Sequence, residues 1–133
     1  MASTGDFYIV ELKEPHLDWG RVRYTNTRDR IPGEGYIPIP ATDAYRLNLL
    51  NSNGTNGNDV LGQNLFYCTS ADGSYQGVLR SQGNQDRSQY AKQFSEDGNL
   101  RGIGSWYASI GAVPGDRIRV FWTSPVDIII EKL

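Results

Sequence analysis

The sequence has little of the chemistry from which disulfide frameworks and metal centres are built. Its 133 residues include one cysteine, Cys68, and one histidine, His16. One cysteine excludes an internal disulfide framework, and the two residues together exclude the usual zinc sites. No apolar run approaches the roughly 20 residues of a membrane span, and residues 1–10 lack the basic cluster and apolar stretch of a secretory signal. We therefore expect one soluble domain in a reducing cytoplasm, without a cofactor or a membrane partner.

Support for catalysis is also sparse. A serine nucleophile needs a neighbouring base, but His16 falls in a polar segment, and Tyr107 stands where a nucleophile elbow around Ser109 would need its first glycine. No glycine-rich phosphate loop precedes a helix. Asp127 and Glu131 share one face of the predicted last strand, which leaves a small metal-dependent nuclease as one alternative. We expect no catalytic residue and no metal ligand, so that the chain by itself is not an enzyme.

What the sequence does contain is a series of short β-branched and aromatic runs separated by turn residues, a pattern typical of β-strands. Two segments with apolar residues at helical spacing predict short helices, one of them capped by Thr42 or Asp43 and the other followed by Gly111. The predicted strands are 7–12, 36–40 (an edge segment), 65–69, 75–79, 117–122 and 126–130, and the predicted helices are 42–50 and 103–110. We expect an all-β domain with two short helices, built as a barrel or a sandwich of mostly antiparallel strands. Cys68, Trp106 and Trp122 fall in patterned elements and are expected in the core.

The charge is unevenly distributed along the chain. Its net value is −2, but residues 15–35 contain four arginines and three acidic residues, and residues 76–95 contain three basic residues and one acidic residue. The remainder contains six basic and eleven acidic residues. Because salt screens exposed charges beyond about 8–10 Å, the local sign matters more than the net sign. Two polar segments are therefore electropositive on an acidic body.

Both segments are rich in side chains that recognise nucleic acid. Arginine pairs with guanine, asparagine and glutamine pair with adenine, and aspartate accepts from cytosine, whereas hydroxyls and lysine suit phosphates. The candidate base readers are Arg21, Arg23, Asn26, Arg28, Arg80, Gln82, Asn84, Gln85, Asp86 and Arg87. The candidates for phosphate contact or for positioning the segments are Thr25, Arg30, Ser88, Tyr90 and Lys92. Solvated polar loops are the alternative for each segment taken alone. A carbohydrate-binding β-domain that uses Trp19, Tyr24 and the Asn/Gly loop at 51–58 is the alternative for the whole chain.

The order of these features resembles one known family. A strand, a long basic segment, the Tyr36–Pro40 run and a helix are followed by a second polar segment, a short helix, the Gly115-Asp116 turn and an alternating strand that ends at Trp122. This order is similar to the B3-type DNA-binding pseudobarrel over nearly the whole chain. The tracts at 81–83 and 90–94 look most like the bacterial branch, which provides recognition or effector domains of restriction endonucleases of the EcoRII, BfiI and NgoAVII kind.

The resemblance implies a mainly β fold, a seven-stranded open pseudobarrel with two short helices. It also implies that two arms grip the major groove of double-stranded DNA. The N-arm corresponds to residues 14–35 and the C-arm to residues 76–95, the same segments in which the basic residues concentrate. In such enzymes the nuclease domain is separate. We therefore expect this chain to be a monomeric target-recognition or effector domain whose partner is a nuclease domain in the same or a larger polypeptide.

Overall fold

Seven β-strands make up most of the ordered framework in the computed structural model, which describes residues 2–17, 34–52, 59–83 and 89–133. The elements in chain order are β1 Phe7–Glu11, α1 Glu14–Leu17, β2 Ile37–Pro38, α2 Ala41–Leu47, β3 Leu65–Ser70, β4 Gln76–Gln82, β5 Gln93–Glu96, α3 Gly102–Ser109, β6 Arg117–Ser124 and β7 Asp127–Lys132. None of the helices in these described ranges has the length and apolar composition needed to cross a membrane.

The strands form one sheet in the order β1-β6-β7-β3-β4-β5-β2. Neighbours are antiparallel except β3 and β7, which are parallel. The sheet curls until its two edge strands approach each other, and the hydroxyl of Tyr8 in β1 donates to the carbonyl of Pro38 in β2 at 3.1 Å. The predicted fold class, a mainly β open pseudobarrel of seven strands, is confirmed. Pro38 lies in the edge strand, where its missing N–H costs no interior ladder bond.

The core lies inside the barrel because inward and outward side chains alternate along each strand. Phe66, Phe94 and Trp122 are fully buried, and Phe66 meets the other two rings edge to face at 5.6 and 6.0 Å between centroids. Trp106 and Cys68 are also buried, as the sequence predicts. Burial raises the pKa of the Cys68 thiol, so the thiolate does not form near neutral pH.

The helices differ from the prediction in number and in capping. The described residues contain three short helices rather than two, because α1 forms inside the segment expected to be loop. α2 begins one residue early, with Pro40 at its N-cap, and Asp43 pairs with Arg46 at 2.8 Å instead of capping. A proline with φ near −60° is already set for helix entry. Gly111 follows α3 with a φ of 65°, a left-handed conformation that favours glycine.

The interior phenylalanines should dominate stability, and two positions of the same residue type test this. Replacing the fully buried Phe66 with alanine should lower the free energy of unfolding by about 3–5 kcal/mol, since it removes transfer energy and leaves a cavity. Phe7→Ala, at a position 48% exposed, should cost less than about 1 kcal/mol. Urea denaturation measures both, and equal losses would contradict this placement of the core.

Candidate nucleic-acid interface

The structure describes only part of the predicted interface. Four of its residues, Arg80, Gln82, Tyr90 and Lys92, lie in the described part of the C-arm. The other predicted contacts, Arg21, Arg23, Thr25, Asn26, Arg28, Arg30, Asn84, Gln85, Asp86, Arg87 and Ser88, fall outside the described residues. The described residues include the base of each arm and the barrel surface beside the two bases.

The described ends of the C-arm form a two-stranded antiparallel ribbon of β4 and β5. β4 continues through Gln82, and its last two residues, Ser81 and Gln82, face Phe94 and Gln93 of β5. The predicted strand 75–79 therefore extends further, to Gln82, and Gln93 begins a strand that the sequence pattern does not predict. The reason is tertiary: Ser81 points inward and is fully buried, and its hydroxyl donates to the carbonyl of Leu50 at 2.7 Å. A polar residue fits an interior strand position when such a partner is present.

A buried amide holds the base of the C-arm in place. The side-chain oxygen of Asn51, which is fully buried, accepts the N–H of Gly83 at 2.7 Å. The backbone N–H of Asn51 donates to the carbonyl of Gln89 at 2.9 Å, so one residue contacts both sides of the arm. A Cβ at position 83 would lie 2.7 Å from the Asn51 side-chain nitrogen, which leaves space for glycine alone. We call Asn51 and its two bonds the C-arm clamp.

A second set of buried bonds fixes the β4 side of the ribbon to the barrel. The N–H of Ser81 donates to the carbonyl of Asn64 at 3.0 Å. The side chain of Asn64, fully buried, accepts the N–H of Val60 at 2.7 Å. On the other side, the N–H of Ala91 donates to the carbonyl of Leu49 at 2.9 Å. Both strands of the ribbon are therefore tied to neighbouring segments where the arm begins.

The base of the N-arm is tied to α1 and α3. The N–H of Tyr36 donates to the carbonyl of His16 at 3.0 Å, which closes the segment between them. The hydroxyl of Tyr107 donates to the carbonyl of Tyr36 at 2.8 Å, and the rings of His16 and Tyr36 meet edge to face at 5.3 Å. His16, which the sequence places in a polar segment, is half-buried, and its Nδ1 accepts the N–H of Lys13 at 2.9 Å. Burial, with a smaller effect from Lys13, lowers the pKa of His16.

The two arm bases lie side by side at the start of β5. β2 runs antiparallel to β5, with Ile37 facing Phe94 and Pro38 facing Gln93. The N-arm enters β2 just before Ile37, whereas the C-arm enters β5 at Gln93. Phe94 directly follows Gln93, so these two points are one residue, or about 3.3 Å, apart along β5.

Polar side chains cover the outer face of the ribbon between the arm bases. Because Leu79, Ser81 and Phe94 point inward, their neighbours Gln82 and Gln93 point outward, directly opposite each other. Both are half-exposed. Gln93 is absent from the predicted interface residues. The alternation of polar Gln93 and apolar Phe94 signals an outward position, but only the strand pairing shows that Gln93 shares a face with Gln82.

Arg80 lies on the same outer face, held by two carboxylates. Its guanidinium contacts Asp59 at 2.9 Å and Asp97 at 2.7 Å. These ion pairs neutralise its charge, so a base contact by Arg80 would compete with two internal partners. Arg119 of β6 is likewise paired, with Glu131 at 3.2 Å.

The remaining two described arm residues differ in exposure. Lys92 is exposed beside the Gln82–Gln93 pair, and its backbone N–H donates to the carbonyl of Gln82 at 2.7 Å. Tyr90 is partly buried against the core, and its ring meets that of Tyr45 edge to face at 5.4 Å. This packing fits an anchor of the arm, one of the two roles expected for Tyr90.

The carboxylates of the alternative nuclease hypothesis have partners of their own. Asp127 accepts the hydroxyl of Ser124 at 2.7 Å, and Glu131 pairs with Arg119. Across residues 2–17, 34–52, 59–83 and 89–133, no group of three or more histidine, cysteine, aspartate or glutamate side chains is placed to hold a metal ion.

Comparison with known proteins does not assign this chain to a family. No protein-family model, no curated protein and no solved structure matches this chain. Function is therefore inferred from the arm bases, the surface between them and the distribution of charge.

The C-arm clamp should contribute measurably to stability. Asn51→Ala leaves the Gly83 N–H buried without its acceptor, so we expect the free energy of unfolding to fall by about 1–3 kcal/mol. The amide of Gly83 should also exchange with solvent faster. Asn99→Ala is the matched control, since that side chain also accepts a backbone N–H, from Arg101, but in an exposed turn. Equal losses in the two variants, measured by urea denaturation, would show that the clamp is an ordinary surface contact.

The base of the N-arm should loosen in mild acid. The folded state lowers the pKa of His16 below its usual 6.5, so the neutral ring contributes stability above pH 6.5, and that contribution is lost as the pH falls through the lowered value. Protonation of Nδ1 of His16 converts the acceptor of the Lys13 N–H into a donor, so this hydrogen bond is lost. We expect the stability difference between the wild type and His16→Asn to shrink between pH 7.5 and pH 5. A constant difference would contradict a neutral, hydrogen-bonded His16.

Proposed function

We propose that this chain binds double-stranded DNA in a sequence-specific manner, as a B3-like pseudobarrel whose N-arm and C-arm contact the major groove. The observation that carries the proposal is the C-arm clamp. A buried asparagine holds Gly83 and Gln89, and the sequence between these two residues is dense in base-reading side chains. B-DNA admits such a ribbon in its major groove, which is about 12 Å wide.

Rigid anchoring is what a sequence reader requires. Discrimination between bases requires that the donors and acceptors of the protein are held close to their ideal positions. An arm that is loosely attached to the barrel would discriminate poorly. The C-arm base rests on the buried bond to Asn51, and the N-arm base rests on the part-buried bond from the hydroxyl of Tyr107. A solvated loop without a binding role does not require buried hydrogen bonds at its base.

The charge distribution favours specific over non-specific binding. Non-specific affinity depends on neutralised phosphates, and the net charge of −2 provides little of it. Arg119 of the barrel and Arg80 at the base of the C-arm are also held by carboxylates. Binding would then depend on the arms and on the bases they contact.

In this proposal the chain is not the catalyst. It acts in the cytoplasm as the target-recognition or effector domain of a restriction endonuclease, as a monomer linked to a separate nuclease domain. DNA binding through the arms would direct or activate cleavage by that domain.

Selection from a randomised duplex library at physiological salt tests the proposal. We expect a motif of a few base pairs to be enriched well above the non-specific background, for which dissociation constants are about 10⁻⁴–10⁻⁶ M. An unenriched library would overturn sequence-specific binding. Binding to a glycan panel that is insensitive to salt would instead favour the carbohydrate alternative.

Variants of the arms should separate base readers from phosphate contacts. Arg28→Ala should weaken binding to the enriched motif by about 1–3 kcal/mol and relax the preference at one position. Lys92→Ala should weaken all duplexes alike and reduce the salt slope by about 1. Arg101→Ala, an exposed arginine outside both arms, is the control and should bind as the wild type does. A uniform loss in Arg28→Ala would reassign that residue to backbone contact.

A further inference from the structure

We propose that the Gln82–Gln93 pair is an adenine reader, with Gln93 as a specificity-determining residue. The inference rests on the proposed DNA-binding function and deepens it, since it assigns a base to one point of the interface. The two residues are the last paired residues of the β4–β5 ribbon before the segment 83–92. They lie opposite each other on the outer face of the ribbon. The C-arm clamp holds the chain at the next residue, Gly83.

Both amides are available for a ligand. Neither the Gln82 nor the Gln93 side chain makes a hydrogen bond to any residue of the described chain, and both are half-exposed. The two asparagine amides nearby behave differently. Asn51 and Asn64 are fully buried, and their side-chain oxygens accept backbone N–H groups. The buried asparagine amides therefore stabilise the fold, whereas the outward amides of Gln82 and Gln93 have no hydrogen-bond partner among the described residues.

The chemistry of the pair selects adenine. A glutamine amide offers one donor and one acceptor side by side, which matches N7 and N6 of adenine in the major groove. Guanine presents two acceptors there and prefers a cation, but the nearby Arg80 is neutralised by Asp59 and Asp97. The surface at this point is thus suited to hydrogen-bond recognition rather than to charge.

The spacing also fits. Adjacent strands lie about 4.7–4.9 Å apart, and opposed Cβ atoms about 4.5–5.5 Å apart. Successive base pairs are about 3.4 Å apart along each strand of DNA. Flexible glutamine side chains can span this difference, so Gln93 contacts one adenine and Gln82 reaches the neighbouring base pair. Lys92, exposed next to them, is placed for a phosphate.

The test measures base preference position by position. Affinities of the wild type, Gln93→Ala and the isosteric Gln93→Met are determined on the selected duplex and on every single base-pair substitution of it. We expect discrimination at one A·T pair to fall about 5- to 150-fold in both variants, with other positions unchanged. The salt slope should stay the same, because no phosphate contact is lost.

Two controls make the result specific. Gln63→Ala changes the same residue type at a half-exposed position outside both arms, and it should bind as the wild type does. Replacing the contacted adenine by 7-deazaadenine removes the N7 acceptor. It should weaken the wild type but have no further effect on Gln93→Met.

The outcomes separate the two proposals. If the wild type selects no motif, the proposed function fails before any variant is measured. If the wild type selects a motif but the Gln93 variants keep the same preference at every position, the adenine reader is overturned and sequence-specific binding stands. A uniform loss over all duplexes would likewise overturn it, by placing Gln93 at the DNA backbone.

Discussion

The arms of this domain depend on one constraint, that polar groups buried inside a barrel must find hydrogen-bond partners there. Asn51 meets it by accepting from Gly83 and donating to Gln89, and Ser81 meets it by donating to Leu50. Each bond satisfies a buried group and at the same time fixes the start of the C-arm. The buried indole N–H of Trp122 has no hydrogen-bond partner among the described residues, and leaving such a group unpaired costs free energy. The bond to Asn51 spares the Gly83 N–H this penalty.

Stability and recognition thus use opposite faces of the same ribbon. Alternation along β4 and β5 sends Leu79, Ser81 and Phe94 inward and Gln82 and Gln93 outward. A change of register by one residue would exchange the two sets. The clamp and the inward side chains therefore also determine which amides face solvent. In the proposed function, an interaction deep in the barrel sets the geometry of base recognition.

The electrostatics follow a similar division. Arg119 of the barrel pairs with Glu131, and Arg80, at the base of the C-arm, pairs with Asp97. The sequence segments of the two arms contain more basic than acidic residues, whereas the rest of the chain contains more acidic ones. An acidic barrel with basic arms would bind DNA in one orientation and gain little from DNA of arbitrary sequence.

Hydrophobic alternation and turn residues are local properties, and from them the sequence alone determines the strand-rich fold class, the buried tryptophans and the edge position of the Tyr36–Pro40 run. The resemblance to a known family supplied the number of strands. Tertiary structure alone decided that Ser81 lies inside a strand, that Asn51 clamps an arm 32 residues away, and that Gln93 stands opposite Gln82. These features depend on which distant groups meet in the barrel. A polar residue looks the same in the sequence whether its partner is water or a buried carbonyl.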